Sequence, residues 1–206
     1  MSPVRLNGST SGYSELSAPA VAGNNSIALP TGNGTAYQVL RNGATAGSLE
    51  YADKIVSGTA QASTSGTSID FTSIPSYVKR ITVMFNGVST NGSNALLVQL
   101  GTSSGFAASG YASRVYAVTT NNLGSTAGFL INDGSATAGT YYGSISIQNV
   151  SSNTFVCNGI IADTTTPGTY RIAGGVTLSG TLDRVRITTV GGTDTFDAGT
   201  INILYE

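Results

Sequence analysis

The sequence predicts an all-β protein, in which a C-terminal antiparallel β-sandwich of jelly-roll type follows an extended, oligomer-dependent N-terminal segment. Three observations support this fold class. Gly, Ser, Thr and Asn make up nearly half of the 206 residues, and only 9% of the residues are charged. No long stretch keeps a helical apolar period without an intervening Gly or Pro. Apolar residues, at 40%, are sufficient to cover one face of a sheet, which argues against disorder.

Strand signals begin at Ile69, where short runs of β-branched and aromatic residues alternate with clusters of turn residues. Ile81, Val83 and Phe85 occupy alternate positions of one run, so one face of that strand is expected to be buried. The predicted strands are 69–72, 77–86, 95–101, 113–119, 127–132, 141–149, 154–161, 169–178, 182–190 and 199–205. The predicted tight turns contain Asn86-Gly87, Asn91-Gly92, Asp133-Gly134, Pro167-Gly168 and Gly191-Gly192.

Composition changes near residue 56 and predicts three segments. Residues 1–56 hold widely spaced apolar residues that cannot close a core, residues 57–67 resemble a linker, and residues 68–206 form the sandwich. Leu97 and Met84 are expected on strand faces away from the core. Three chains wound together would give each unsheltered apolar residue two partners, so the sequence predicts a homotrimer.

The residue inventory excludes several function classes. The chain contains no histidine, which removes imidazole as a general base or metal ligand. Cys157 is the single cysteine, so it has no disulfide or zinc-binding partner and is expected to be a small core residue. The net charge of −1 argues against nucleic acid as a partner.

No apolar run approaches the roughly 20 residues of a membrane span, and the N-terminus lacks a signal-peptide pattern, so cytoplasmic synthesis without membrane insertion is expected.

Carboxylates offer the remaining route to catalysis. Asp183, Asp194 and Asp197 lie close in sequence, and a pair of carboxylates would suit glycoside hydrolysis. The alternative that we favour is that Asp194 and Asp197 close a turn by capping their own backbone. A calcium site built from Asp, Asn and carbonyl oxygens stays open, although no DxDxDG spacing is present. The sequence therefore predicts a protein that is not an enzyme and that binds no cofactor.

A binding surface is the better-supported prediction. Asn, Ser, Thr and Tyr in loops provide hydrogen bonds and flat aromatic area without charge, which suits neutral glycans or protein surfaces. Packing within the sheet is the competing interpretation for the tyrosines. The predicted contact residues are Asn91, Asn94, Tyr111, Asn121, Asn122 and Tyr141.

The N-terminal sequence resembles the N-terminal modules of tailed-bacteriophage fibre and related virion proteins. The resemblance is carried by SGY at 11–13, APAVAG at 18–23, IALPTGNG at 27–34, QVL at 38–40 and GSLEY at 47–51. The segments SIDFTSIP at 68–75 and VKRITVMFNGVS at 78–89 are similar to a sandwich module of phage structural proteins.

This resemblance implies a non-enzymatic virion component, a short trimeric tail fibre. Residues 1–56 would attach it to other virion proteins, and the C-terminal knob would contact a host surface glycan or outer-membrane protein. The predicted attachment residues are Leu16, Val21, Ile27, Leu29 and Leu40. A capsid decoration protein, head fibre or tail adaptor is the alternative, in which outward residues such as Arg184 and Arg186 would face virion proteins. A capsule depolymerase and a bacterial adhesin or lectin are further alternatives.

Overall fold

The computed structural model describes residues 4–7, 10–16, 26–117, 122–134, 139–166 and 168–206. Over these residues the chain forms eighteen β-strands and no helix, and the predicted all-β class is confirmed. The strands are β1 Val4–Asn7, β2 Tyr13–Leu16, β3 Val39–Asn42, β4 Leu49–Ala52, β5 Val56–Ser57, β6 Gln61–Ala62, β7 Ser68–Phe71, β8 Arg80–Thr90, β9 Leu96–Thr102, β10 Gly105–Phe106, β11 Ala112–Ala117, β12 Asn122–Ser125, β13 Phe129–Leu130, β14 Tyr141–Ser151, β15 Thr154–Asp163, β16 Gly168–Thr177, β17 Arg184–Thr189 and β18 Phe196–Tyr205.

The chain divides into two compact units, Met1–Lys54 and Ile55–Glu206. In the N-terminal unit β1 pairs with β2, β3 pairs with β4, and Ala28 forms an isolated bridge with Ser48. None of the side chains described in residues 26–54 is buried. Residues 26–54 therefore hold backbone pairings without an apolar core of their own.

The C-terminal unit is built from two antiparallel sheets. The larger sheet has the order β12-β11-β16-β15-β14-β8-β18, with β5 and β6 both pairing with the outer edge of β18. The smaller sheet has the order β10-β9-β17-β7, and β13 pairs with the same edge of β9 as β10 does. Hairpins join β14, β15 and β16, so these three long strands are neighbours in both sequence and space.

The core lies between these two sheets. Ile145 and Ile147 of the larger sheet and Val98 and Ile187 of the smaller sheet are buried, as strand alternation requires. Each such side chain stabilises the fold by about 1.5–3 kcal/mol relative to an exposed position. All of the buried apolar residues of the described chain lie between positions 69 and 203. The C-terminal unit thus encloses its core within one chain.

A glycine allows the two sheets to approach closely at one point. A Cβ atom at Gly174 of β16 would lie 3.0 Å from the ring of Phe129 and 2.7 Å from the carbonyl oxygen of Ala112. Beside this contact, the backbone N–H of Leu130 donates to Ser113 Oγ at 2.9 Å. Packing and a hydrogen bond therefore connect β13 to the larger sheet.

Two sequence predictions about β8 and β9 are wrong. Asn86-Gly87 does not form a turn, because β8 continues to Thr90 and Gly87, at a φ of 67°, is an extra residue where the register to β14 shifts. Leu97 is buried, since β9 is covered on both faces at this point, while Met84 is half-buried. Leu97 therefore gives no support to association between chains.

The segment expected to be a linker contributes two strands to the larger sheet. Ser57 pairs with Leu204 and Gln61 with Ile201, and the N–H of Gly58 donates to the carbonyl of Ile203 at 2.8 Å. Sheet hydrogen bonds use backbone atoms, so a Gly- and Ser-rich composition does not prevent pairing. The boundary between the two compact units lies between Lys54 and Ile55, so residues 57–67 belong to the C-terminal unit.

Candidate interaction surfaces

Tyr111 and Tyr141, two of the predicted contact residues, are buried and cannot touch a partner. Tyr111 is 2% exposed, and its hydroxyl accepts a hydrogen bond from the N–H of Leu100 at 2.7 Å. Tyr141 is 3% exposed, and its hydroxyl accepts from Asn132 Nδ2 at 2.6 Å. Burial raises the pKa of Tyr111 to about 12 and raises the pKa of Tyr141, where the nearby Asp163 carboxylate acts in the same direction. Both tyrosines are structural residues.

The loop containing Asn91 and Asn94 is exposed but tied to a neighbouring loop. Asp194 accepts hydrogen bonds from the backbone N–H of Asn94 at 2.8 Å and from its Nδ2 at 2.7 Å. Asn91 Oδ1 accepts from the N–H of Thr195 at 2.9 Å. The loop side chains are therefore used largely to join the β8–β9 and β17–β18 connections, which leaves a rigid surface.

Asn122 is exposed at the start of β12, next to Tyr116 of β11. Asn121 lies outside the described residues, as does Pro167 of the predicted Pro167-Gly168 turn. Of the predicted contact residues, Asn122 is the one that the structure places on an open sheet face.

Each acidic residue near the C-terminus is bonded to another side chain of the C-terminal unit. Asp183 bonds to Arg184 Nη2 at 2.7 Å, Asp194 holds Asn94, and Asp197 accepts a hydrogen bond from Ser89. The expectation that Asp194 and Asp197 cap their own turn is corrected, because both carboxylates bond to residues about a hundred positions away. Among the described residues no group of three or more His, Cys, Asp or Glu side chains is placed to hold a metal ion.

Cys157 is a buried core residue, as predicted. Its side chain lies on the inner face of β15, and burial raises the pKa of the thiol to about 12. A thiol with this pKa carries little thiolate at neutral pH, so it is a poor nucleophile.

The outer face of the smaller sheet carries arginines whose charges are already neutralised. Arg186 makes a bidentate bond to Asp70, at 2.8 Å and 2.7 Å, and its guanidinium lies 4.1 Å from the centre of the Phe106 ring. The bond to Asp70 raises the pKa of Arg186 further. Arg184 donates from Nε and from Nη2 to a single oxygen, Asp183 Oδ2, at 2.9 Å and 2.7 Å. This face is therefore held together by its own contacts.

The outer face of the larger sheet is a broad surface of mixed polar and apolar side chains. The cross-strand register forms one row of outward residues across five strands, namely Asn122, Tyr116, Arg171, Ile160 and Ser144. Tyr116 and Ile160 are about half exposed, at 50% and 59%. Sequence reasoning missed Tyr116, Arg171 and Ile160 because the pairing of β11 with β16 joins residues more than fifty positions apart.

The N-terminal unit exposes its apolar side chains. Ile27 is 66% exposed, Leu29 is 73% exposed, and Leu40 is half exposed. Val21 lies outside the described residues, and Leu16 belongs to β2. Exposed apolar side chains grouped in one unit are typical of a surface that meets another chain.

Within the described residues, no helix has the length and apolar character needed to cross a membrane. Comparison with protein-family models, with curated proteins and with solved structures finds no match for this chain.

Proposed function

We propose that the protein is a non-enzymatic structural component of a bacteriophage particle, a short trimeric tail fibre. Its N-terminal unit would attach to other virion proteins, and its C-terminal sandwich would contact the surface of the host cell. The phage assignment depends on the resemblance of residues 11–51 and 68–89 to fibre and structural proteins of tailed phages.

One observation carries the proposal. The C-terminal unit buries an apolar core, whereas none of the side chains described in residues 26–54 is buried, and Ile27, Leu29 and Leu40 are exposed. An apolar side chain gains about 1.5–3 kcal/mol when it is fully buried, so contact with other chains would stabilise this unit. Three chains in register would place each of these residues against two copies of itself.

Sedimentation equilibrium of the full chain tests the trimer. The wild-type protein is expected at three times the chain mass of 20.8 kDa. The triple variant Ile27→Ser, Leu29→Ser and Leu40→Ser is expected to dissociate, because it removes the apolar contacts. A matched control, Val150→Ser with Val190→Ser, replaces exposed apolar residues of the C-terminal unit and should keep the wild-type mass. A wild-type mass equal to one chain would overturn the trimer.

Whole-cell binding separates the fibre from its alternative. A tail fibre is expected to bind bacterial cells through its C-terminal unit and to block infection by the phage that carries it. A decoration protein, head fibre or adaptor would bind no cells and would be covered by capsid or tail subunits in an electron density map of the particle.

A further inference from the structure

Two arginines on the outer face of the larger sheet have no ion-pair partner among the described side chains. Six arginine side chains are described, and four of them bond to a carboxylate within the chain: Arg41 to Glu50, Arg80 to Glu206, Arg184 to Asp183 and Arg186 to Asp70. Arg114 and Arg171 make no ion pair with any residue that the structure describes. Both side chains are exposed.

The register of the sheet makes these two arginines neighbours. Arg114 of β11 lies opposite Ala173 of β16, and Tyr116 lies opposite Arg171. Arg114 and Arg171 are therefore diagonal neighbours on one face of the sheet, and diagonal residues have their backbones about 7 Å apart. Strands β11, β12, β14, β15 and β16 contain a single carboxylate, Asp163, and it is buried. No acidic group of these strands therefore lies on the face that carries the two arginines.

The groups around the arginines suit a sugar. Tyr116 presents a half-exposed ring between Asn122 and Arg171, and Asn158 is exposed on the neighbouring strand β15. Amides supply donors and acceptors for hydroxyl groups, and the tyrosine ring offers a flat surface for the apolar face of a pyranose.

The guanidinium of Arg114 packs against the backbone of Gly124 in β12. A Cβ atom at position 124 would lie 2.7 Å from Arg114 Nη1 and 3.0 Å from its Cζ, so only glycine leaves this space open. Arg114 also borders a cleft of about 440 Å³ that is lined by Ser113, Ser125 and Thr126.

We propose that Arg114 and Arg171 bind the anionic group, a carboxylate or a phosphate, of an acidic saccharide, with Tyr116 and Asn122 contacting the sugar beside it. This inference rests on the proposed function, because it names the class of host-surface molecule that the C-terminal unit would bind. A guanidinium fork matches the oxygens of either anion.

The same surface fits a nucleic acid or a protein less well. Two unpaired arginines are too few to neutralise the dense phosphates of a nucleic acid, whereas an acidic polysaccharide presents charges at wider spacing. A protein interface is centred on a cluster of large apolar or aromatic anchors, whereas here the two such residues, Tyr116 and Ile160, lie on either side of Arg171, and the next outward positions are Ala173, Asn158 and Ser146.

Binding of the full chain to immobilised polymers tests the site. The probes are polygalacturonate, which carries carboxylates, phosphomannan, which carries phosphates, neutral dextran, and polyglutamate as an acidic polypeptide. The wild-type protein is expected to bind polygalacturonate, phosphomannan or both, more weakly as salt is raised, and to bind neither dextran nor polyglutamate.

Single variants are expected to weaken this binding. Arg114→Gln and Arg171→Gln should each reduce the affinity roughly tenfold or more, since each removes a charge-assisted hydrogen-bonding fork. Arg80→Gln is the matched control, because it changes the net charge equally but removes an arginine that is already paired with Glu206. Gly124→Val keeps both charges and should also weaken binding, since its side chain displaces the Arg114 guanidinium. Circular dichroism should show that all four variants remain folded.

The site would be overturned if Arg114→Gln and Arg171→Gln bound the acidic saccharides as tightly as the control Arg80→Gln. It would also be overturned if the wild-type protein bound polyglutamate as strongly as it binds the saccharides. A trimer that binds bacterial cells equally well with and without Arg114 and Arg171 would overturn this inference and leave the proposed function in place. A single-chain protein that binds polygalacturonate through these arginines would support the site and overturn the trimeric fibre.

Discussion

Replacing Tyr111 by Phe removes one hydroxyl group from the core and is expected to destabilise the C-terminal unit. Along the edge of β9, residues Gly101 and Thr102 pair with β10, and Leu97 and Val98 pair with β13. The N–H of Leu100 lies in the gap between these two strands, and the Tyr111 hydroxyl bonds to it at 2.7 Å.

The magnitude follows from the group that is left without a partner. The Phe ring keeps the edge-to-face contact with Phe129, whose ring centre lies 5.0 Å from that of Tyr111. The buried N–H of Leu100 then loses its hydrogen bond, and an unsatisfied buried donor costs about 1–3 kcal/mol. For a protein of this size, this corresponds to a fall of roughly 2–4 °C in the melting temperature for each kcal/mol.

Urea unfolding followed by circular dichroism measures the effect. Tyr116→Phe is the matched control, because that side chain is half exposed and its hydroxyl has no hydrogen bond among those that the structure describes, so it should stay within about 0.5 kcal/mol of wild type. A Tyr111→Phe protein as stable as wild type, or a control that loses as much, would refute the role given to this hydroxyl.

Three further predictions concern the same unit. Asp194→Ala and Asn94→Ala should each destabilise it by about 1–3 kcal/mol, and the double variant by less than the sum, because the two residues share their hydrogen bonds; a double-mutant cycle in urea checks this. The free energy of unfolding should fall as the pH rises above about 9. The unfolded chain then loses protons from Cys157 and next from Tyr111, whereas the folded chain keeps both protons until about pH 12. A free energy of unfolding that stays constant from about pH 8.5 to 11 would contradict this. In the folded protein Cys157 should resist a maleimide reagent at pH 7 and react once urea is added, whereas rapid labelling without urea would show that the thiol is accessible.

The sequence predicted the central strands well because their signal is local. Ile81, Val83 and Phe85 alternate along β8 and are buried as expected, and the runs that became β14, β15 and β16 were found to within about three residues at their ends. Short strands such as β5, β6 and β10 were missed, since two residues carry no periodicity and depend on the strand beside them.

The residues of the candidate surfaces were harder to predict, because the pairing of strands determines which side chains are exposed together. Tyr111 and Tyr141 stand next to turn residues in the sequence, yet both rings enter the core, where Leu100 and Asn132 satisfy their hydroxyl groups. Arg114 and Arg171 are far apart in sequence and adjacent in the sheet. The composition alone could not reveal that these two arginines lie on neighbouring strands of one sheet.

Every edge of the sandwich is short. The larger sheet ends at β12, of four residues, and at the broken pair β5 and β6, of two residues each, while the smaller sheet ends at β7, of four residues, and at β10 and β13, of two each. Long unpaired margins recruit strands from other molecules and lead to fibrillar aggregates. In a chain with so few repelling charges, we expect these short edge strands to limit strand pairing between molecules.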